Sequence, residues 1–171
     1  MKSTPLRRGL ARITDQWGLA LPPDRGWRGF IDTHLALAAA AALPVLWVLS
    51  TVFGPAMHAP AGWPAWASFV LAQPVLEELV FRGILQGELL QWTGGRQAGP
   101  VTQANLWTSL AFTVAHLLVQ PPAWALAVAV PSLVFGHLRD RLRSIWPAVV
   151  LHGGYNLGFA LVATWVRSSS G

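Results

Sequence analysis

The sequence predicts an all-α, polytopic membrane helix bundle with about five transmembrane helices and a cytoplasmic N-terminus. Three observations carry this expectation. Of 171 residues, 53% are hydrophobic and only 11% are charged, against roughly 25% charged in an ordinary soluble domain. The apolar residues gather into five stretches, most of them near the roughly 20 residues that a helix needs to cross the hydrocarbon core. The basic residues fall between those stretches so that alternate loops are positive, as expected when Lys and Arg stay on the cytoplasmic side. A chain of this length is expected to form one core, so we divide it into a basic segment over 1–29 and a single transmembrane domain over 30–166.

The N-terminal segment holds six of the twelve basic residues, Lys2, Arg7, Arg8, Arg12, Arg25 and Arg28, which assigns it to the inside. The first span, about 31–53, is rich in Ala and Leu and carries no charge after Asp32. Its apolar part is too long and starts too late for a secretory signal, although Ala59-Pro60-Ala61 resembles a small-residue cleavage site. The second span, about 63–92, is unusually long and carries Glu77, Glu78, Arg82 and Glu88, so it is expected to tilt or protrude. A Gly-rich loop over 93–100 leads to a third span at about 103–119, which Pro121-Pro122 ends. The fourth span covers about 123–138 and the fifth about 145–166, with the basic loop Arg139 to Arg143 between them. Both basic loops then lie inside, and the uncharged loops over 54–62 and 120–122 lie outside. Eight of the ten Trp residues mark predicted span ends, the interfacial position that Trp favours.

The excess of twelve basic over seven acidic residues therefore sets topology. It forms no basic stripe for nucleic acid. The chain has no cysteine, which excludes a disulfide framework, a thiolate zinc site and a cysteine nucleophile.

Charged side chains deep in a bilayer cost about 2.5–3.5 kcal/mol each on insertion scales and mark a functional site by default. Glu77 and Glu78 lie near the middle of the second span. Arg82, four residues after Glu78, shares its face and can pair with it; Glu77 is rotated away by about 100°. Phe112 with His116, and His152 with Asn156, repeat the four-residue spacing on the third and fifth spans. At about 1.5 Å per residue, Glu77 lies roughly 21 Å inward from Gln91, His116 roughly 20 Å from Gln103 and Asn156 roughly 18 Å from Ser144. Glu77, His116 and Asn156 are thus expected to meet inside one bundle, with His152 a turn nearer the cytoplasm.

A carboxylate held out of water gains proton affinity and serves as general base toward a water. A histidine beside it can hold that water or donate to a leaving amine, and an asparagine amide can donate to a forming oxyanion. Two imidazoles and a carboxylate also make a plausible zinc set, so the residues alone leave a metal open. The remaining polar positions read as structural or interfacial: Glu88, His34 and His137 near span ends, His58 in an outer loop. Gly83-xxx-Gly87 and Gly154-xxx-Gly158 are spacings that permit close helix packing.

The ordered set Glu77-Glu78-x-x-x-Arg82, Phe112-x-x-x-His116 and His152-x-x-x-Asn156, on successive hydrophobic segments, resembles the CPBP family. These are the type II CAAX prenyl endopeptidases and their bacterial relatives, also called the Abi family. Pro74 and Gly83 also resemble that family's first motif. The likeness covers roughly residues 64–160, which would be the protease core.

The resemblance implies a glutamate-type intramembrane endopeptidase acting on a membrane-anchored protein or peptide, in the bilayer of a bacterial inner membrane. Carried over by position, Glu77 would be the general base, His116 would position the water, and His152 with Asn156 would stabilise the oxyanion. Glu78, Arg82 and Phe112 would be supporting residues. No cofactor is expected, with zinc as the alternative, because Arg82 occupies the second carboxylate. The chain is shorter than the prenyl endopeptidases, with about five spans rather than about eight, and is closer in size to compact bacterial relatives. Those include bacteriocin-immunity proteins and proteases of the JDVT-CTERM type, assigned to C-terminal sorting signals. The alternative function is a non-enzymatic membrane immunity or scaffold protein that has kept the fold.

Overall fold

A computed structural model describes residues 5–53 and 60–169. His58 and most of the loop expected around it lie outside the described residues. The chain is helical through α1 (Pro5–Gln16), a 3-10 turn at Gly26–Ile31, and α2 (Thr33–Phe53). Next come α3 (Gly62–Ala67), α4 (Gln73–Glu78) and α5 (Gln86–Thr93), joined by π-helical turns at Ser68–Ala72 and Leu79–Leu85. They are followed by α6 (Gln103–Leu117), α7 (Pro122–Ala127), α8 (Ala129–Leu142) and α9 (Trp146–Ser169).

From α2 to α9 the helices overlie the five apolar stretches, whereas α1 and the 3-10 turn fall almost wholly in the basic segment before them; three further details differ. The second span contains the two π turns; wider turns of this kind concentrate at functional sites. The fourth breaks at Val128, because Pro131 has no N–H to offer the carbonyl of Ala127 and so begins a new helix. The Gly-rich loop contains a short hairpin, Gln97–Ala98 paired with Val101–Thr102. Gly99 makes its turn at positive φ, a conformation open to glycine at little cost. Thr102 then caps α6, its hydroxyl accepting from the Asn105 N–H at 3.0 Å.

Among the described residues only α9 is by itself long and apolar enough to cross a membrane, and Thr33–Val48 makes a shorter apolar helix. Helix length and apolarity thus do not establish five crossings. Burial, however, differs from that of a water-soluble domain: beside an apolar core, charged and amide side chains are enclosed and large apolar ones are exposed. Glu78, Arg82, Gln86 and Asn105 are fully enclosed, while Leu37, Leu71, Leu76, Val130 and Leu161 face outward. Such an apolar exterior needs a partner other than water.

α6 packs on α8, and α9 lies against α2, α8 and the α3–α4 turn. An apolar cluster of Leu35, Phe135, Leu138, Leu142, Ala148 and Leu151 ties α2, α8 and α9 together. Glycine sets the closest crossings: a Cβ on Gly136 would fall 2.0 Å from Asn105 Oδ1, and one on Gly158 would fall 2.6 Å from Leu46 Cδ1. On α9 it is Gly153, rather than Gly154, that meets a neighbour: its Cβ position lies 2.7 Å from the Val70 carbonyl, while Gly154 faces open space. Gly83 and Gly87 do permit close packing, but their partner is the backbone of Trp17 and Gln16.

The N-terminal segment is accordingly strapped under the bundle. Arg139 donates to the Gln16 carbonyl at 2.6 Å, Ser144 to Ala20 at 2.7 Å, and the Trp146 indole to Leu19 at 2.7 Å. Trp17 donates to Glu88 at 3.1 Å, so Glu88 holds the strap. His34 and His137, each read as interfacial on its own, meet ring to ring with Nδ1 of the first 3.0 Å from Nε2 of the second.

Candidate active site

The two adjacent carboxylates occupy different environments, as expected from their rotation around the helix. Glu78 is completely buried, whereas the Glu77 side chain keeps 32% of its surface exposed. Glu78 Oε2 faces Arg82 Nε at 3.2 Å across one helical turn. The angle falls short of a hydrogen bond, so the contact is an ion pair. Arg82 is itself held from α8, donating to the Ser132 hydroxyl at 2.7 Å and to the Ser132 carbonyl at 3.0 Å. Its guanidinium lies over the rings of Phe112 at 4.6 Å and Phe135 at 5.4 Å, a placement that helps a cation held away from water.

Glu78 has a second partner. Its Oε1 lies 2.8 Å from His152 Nδ1. A carboxylate paired with arginine only accepts, so Nδ1 is the donor, and this bond fixes both tautomer and ring orientation. Phe135 stacks on the same ring at 4.9 Å with the planes 19° apart. The consequence is directional: His152 Nε2 is aimed at Glu77, whose Oε2 lies 3.8 Å away. That separation is too long for a direct hydrogen bond and leaves room for a water or a substrate atom to bridge the two.

His116 joins through Phe112. Its Nδ1 donates to the Phe112 carbonyl at 2.9 Å and its ring packs on that of Phe112 at 4.3 Å, while Phe112 meets His152 edge to face at 6.4 Å. In the neutral ring Nε2 of His116 then carries the lone pair. Asn156 takes another direction: its Nδ2 donates to the Phe69 carbonyl at 2.8 Å, in the π turn before Glu77.

The structure links Glu77, Glu78, Arg82, His152, Phe112 and His116 in one chain of contacts, with Asn156 directed to Phe69, and it is His152 that comes within ion-pair distance of Glu77. Glu77 was expected beside His116 and Asn156, and its ionic contact is with His152, which was expected a turn nearer the cytoplasm. Uniform rise was the wrong measure, since the π turn at Leu79–Leu85 packs more residues per turn and draws Glu77 toward the end of the bundle where His152 lies. Ser132 and Phe135 were missed altogether. The only signal was their shared face on the fourth span, three residues apart.

Among the described residues no three His, Asp or Glu side chains gather as a metal-holding group. The arrangement contains one carboxylate locked by arginine, an imidazole oriented by that carboxylate, and a second, accessible carboxylate facing the imidazole.

Fold and site together define a helical bundle with an acid and imidazole centre enclosed by an apolar exterior. The family model of the type II CAAX prenyl endopeptidase Rce1-like proteins matches residues 59–158. The chain belongs to this family of membrane-embedded proteases, and every motif residue lies within the matched range. No curated protein and no solved structure matches the chain.

Proposed function

We propose that the protein is a multi-pass intramembrane endopeptidase that hydrolyses a peptide bond of a membrane-anchored protein or peptide, with Glu77 as the general base. The observation that supports this most directly is the 3.8 Å separation of Glu77 Oε2 from a His152 nitrogen whose other side is pinned by buried Glu78. A water between them can give its proton to Glu77 while its oxygen attacks the carbonyl carbon. The proton then passes to the amine as the C–N bond breaks, which regenerates the carboxylate. His116 orients the attacking water with its lone-pair nitrogen. His152, in the protonated form that carries a hydrogen on Nε2 as well as on Nδ1, stabilises the charge that develops on the carbonyl oxygen. Asn156, on the next turn of α9, supports the same region.

Five crossings follow in this reading from the exposed apolar faces of α2, α4, α6 and α9, which lipid would cover. The basic loops set the N-terminus inside. We infer C-terminal sorting signals as the substrate class, by the likeness to compact bacterial relatives. We assign no metal to the mechanism.

The test is cleavage by the reconstituted protein of membrane-anchored reporter peptides with hydrophobic C-terminal tails. Glu77→Gln should reduce turnover by about 10²–10⁴-fold, the range for loss of a general base, and His116→Ala should also reduce it. Full activity in Glu77→Gln would sink the mechanism. Chelators should leave the rate unchanged, and recovery of a stripped enzyme with zinc alone would replace this chemistry with a metal-assisted one.

A further inference from the structure

Pro74 removes a hydrogen-bond donor from the helix that carries Glu77, and α9 supplies one in its place. At the preceding π turn, the Gln73 N–H bonds to the Ser68 carbonyl, five residues back. The Phe69 carbonyl therefore loses its ordinary partner, Gln73. Its π partner is residue 74, and proline has no N–H. A carbonyl without a donor is costly wherever water is excluded, whether by protein or by lipid. The Asn156 side chain donates to this carbonyl at 2.8 Å. One turn away, Gly153 brings the α9 backbone against the next carbonyl, Val70, so closely that a Cβ would lie 2.7 Å from it. Both contacts come from the helix that carries His152, and both meet the turn just before Glu77.

We propose that Asn156 is a positioning residue: by holding the carbonyl that Pro74 leaves open, it sets the register of α9 against α4 and thereby the separation of His152 from Glu77. This rests on the reading of Glu77 and His152 as the working pair. It differs from the oxyanion role that the resemblance implies for Asn156, because the amide acts here through the backbone of the helix that carries the base.

The proline makes the two roles separable. Replacing Pro74 by alanine restores an N–H, so the turn can satisfy the Phe69 carbonyl from within its own helix. Asn156 then becomes dispensable for register. A lost oxyanion donor would not be recovered by that change.

The experiment follows the ring 15N signals of the histidines in the full-length protein in micelles across a pH titration, with His152 assigned from His152→Gln. Thermal unfolding is recorded in parallel. In Asn156→Ala the His152 titration should move away from that of the wild type, and in Asn156→Ala with Pro74→Ala it should return. If Asn156→Ala does not fold, Asn156→Leu, which keeps the bulk and lacks the donors, takes its place. A His152 titration that stays unchanged while unfolding temperature falls would reduce Asn156 to a stabilising role and overturn the proposal. So would a displaced titration that Pro74→Ala fails to restore. Neither readout needs turnover, so loss of this coupling is distinguishable from failure of Glu77→Gln to affect cleavage.

Discussion

At one end of the bundle, Asp32 accepts from Arg25 at 2.5 Å, from Arg141 at 3.1 Å and from the His34 backbone at 2.9 Å. Nearby, Asp140 accepts from Gln86 and from Thr102, each at 2.7 Å, and the strap of residues 16–20 is bonded to α8 and α9. At the other end, Phe159 meets Trp124 at 5.1 Å and Phe69 at 6.3 Å, and Gly158 seats against Leu46. Hydrogen bonds and ion pairs have direction and so fix rotation and register; apolar contacts mainly fix distance. The Glu78, Arg82 and His152 assembly extends the directional end into mid-bundle. Glu77 stands at its edge, where it is positioned without being occupied.

The largest effect is expected where the directional network is cut at its most buried point. Arg82→Met removes the charge that Glu78 faces and the donor to Ser132, leaving a buried carboxylate with only the His152 N–H opposite it. Breaking a buried pair from one side costs about 3–5 kcal/mol, so the variant should accumulate poorly or melt far below the wild type. Arg82→Met combined with Glu78→Gln should recover part of the loss. A single variant with wild-type melting would mean that the pair is not part of the frame.

Glycine substitutions sharpen the same contrast. A methyl on Gly136 must displace Asn105, which is buried and bonded to the Leu133 carbonyl at 3.0 Å. Overpacking of this kind costs about 1–3 kcal/mol. Gly154→Ala, in the other half, meets nothing within 4 Å and gains up to about 1 kcal/mol of helix propensity. Melting temperatures of the two variants in one detergent should therefore move in opposite directions. Equal losses would erase the distinction between the halves.

How much of this was legible in the sequence depends on what each residue advertises. Charges in apolar stretches stand out, so Glu77, Glu78 and Arg82 could be found, and the four-residue spacing gave the Glu78 and Arg82 pair. His116 and His152 were legible for the same reason. Ser132 and Phe135 were not, because a serine and a phenylalanine in an apolar helix are ordinary there and only the fold aligns them with Arg82. Pro74 was visible, but its consequence, a wider turn that shifts everything after it, depends on which carbonyls find other donors. His34 and His137 each read as bland because a contact across 103 residues leaves no local trace.

The smallest predicted effect concerns Asp140, at the directional end and outside the spans. Burial pushes its carboxyl above the ordinary carboxylate range, against the hydrogen bonds from Thr102 and Gln86 and the charge of Arg139. The folded protein therefore holds this proton more tightly than the unfolded chain does. That stabilisation is complete below the ordinary carboxylate pKa of about 3.9 and is lost as pH rises through the higher folded value. Asp140→Asn stays neutral throughout: its oxygen can still accept from Gln86, and its amide can donate to the Thr102 hydroxyl. The variant should gain melting temperature relative to the wild type as pH rises from about 4 toward neutrality. A difference that stays constant with pH would mean that Asp140 ionises without cost, and that this end of the bundle is wetter than its hydrogen bonds suggest.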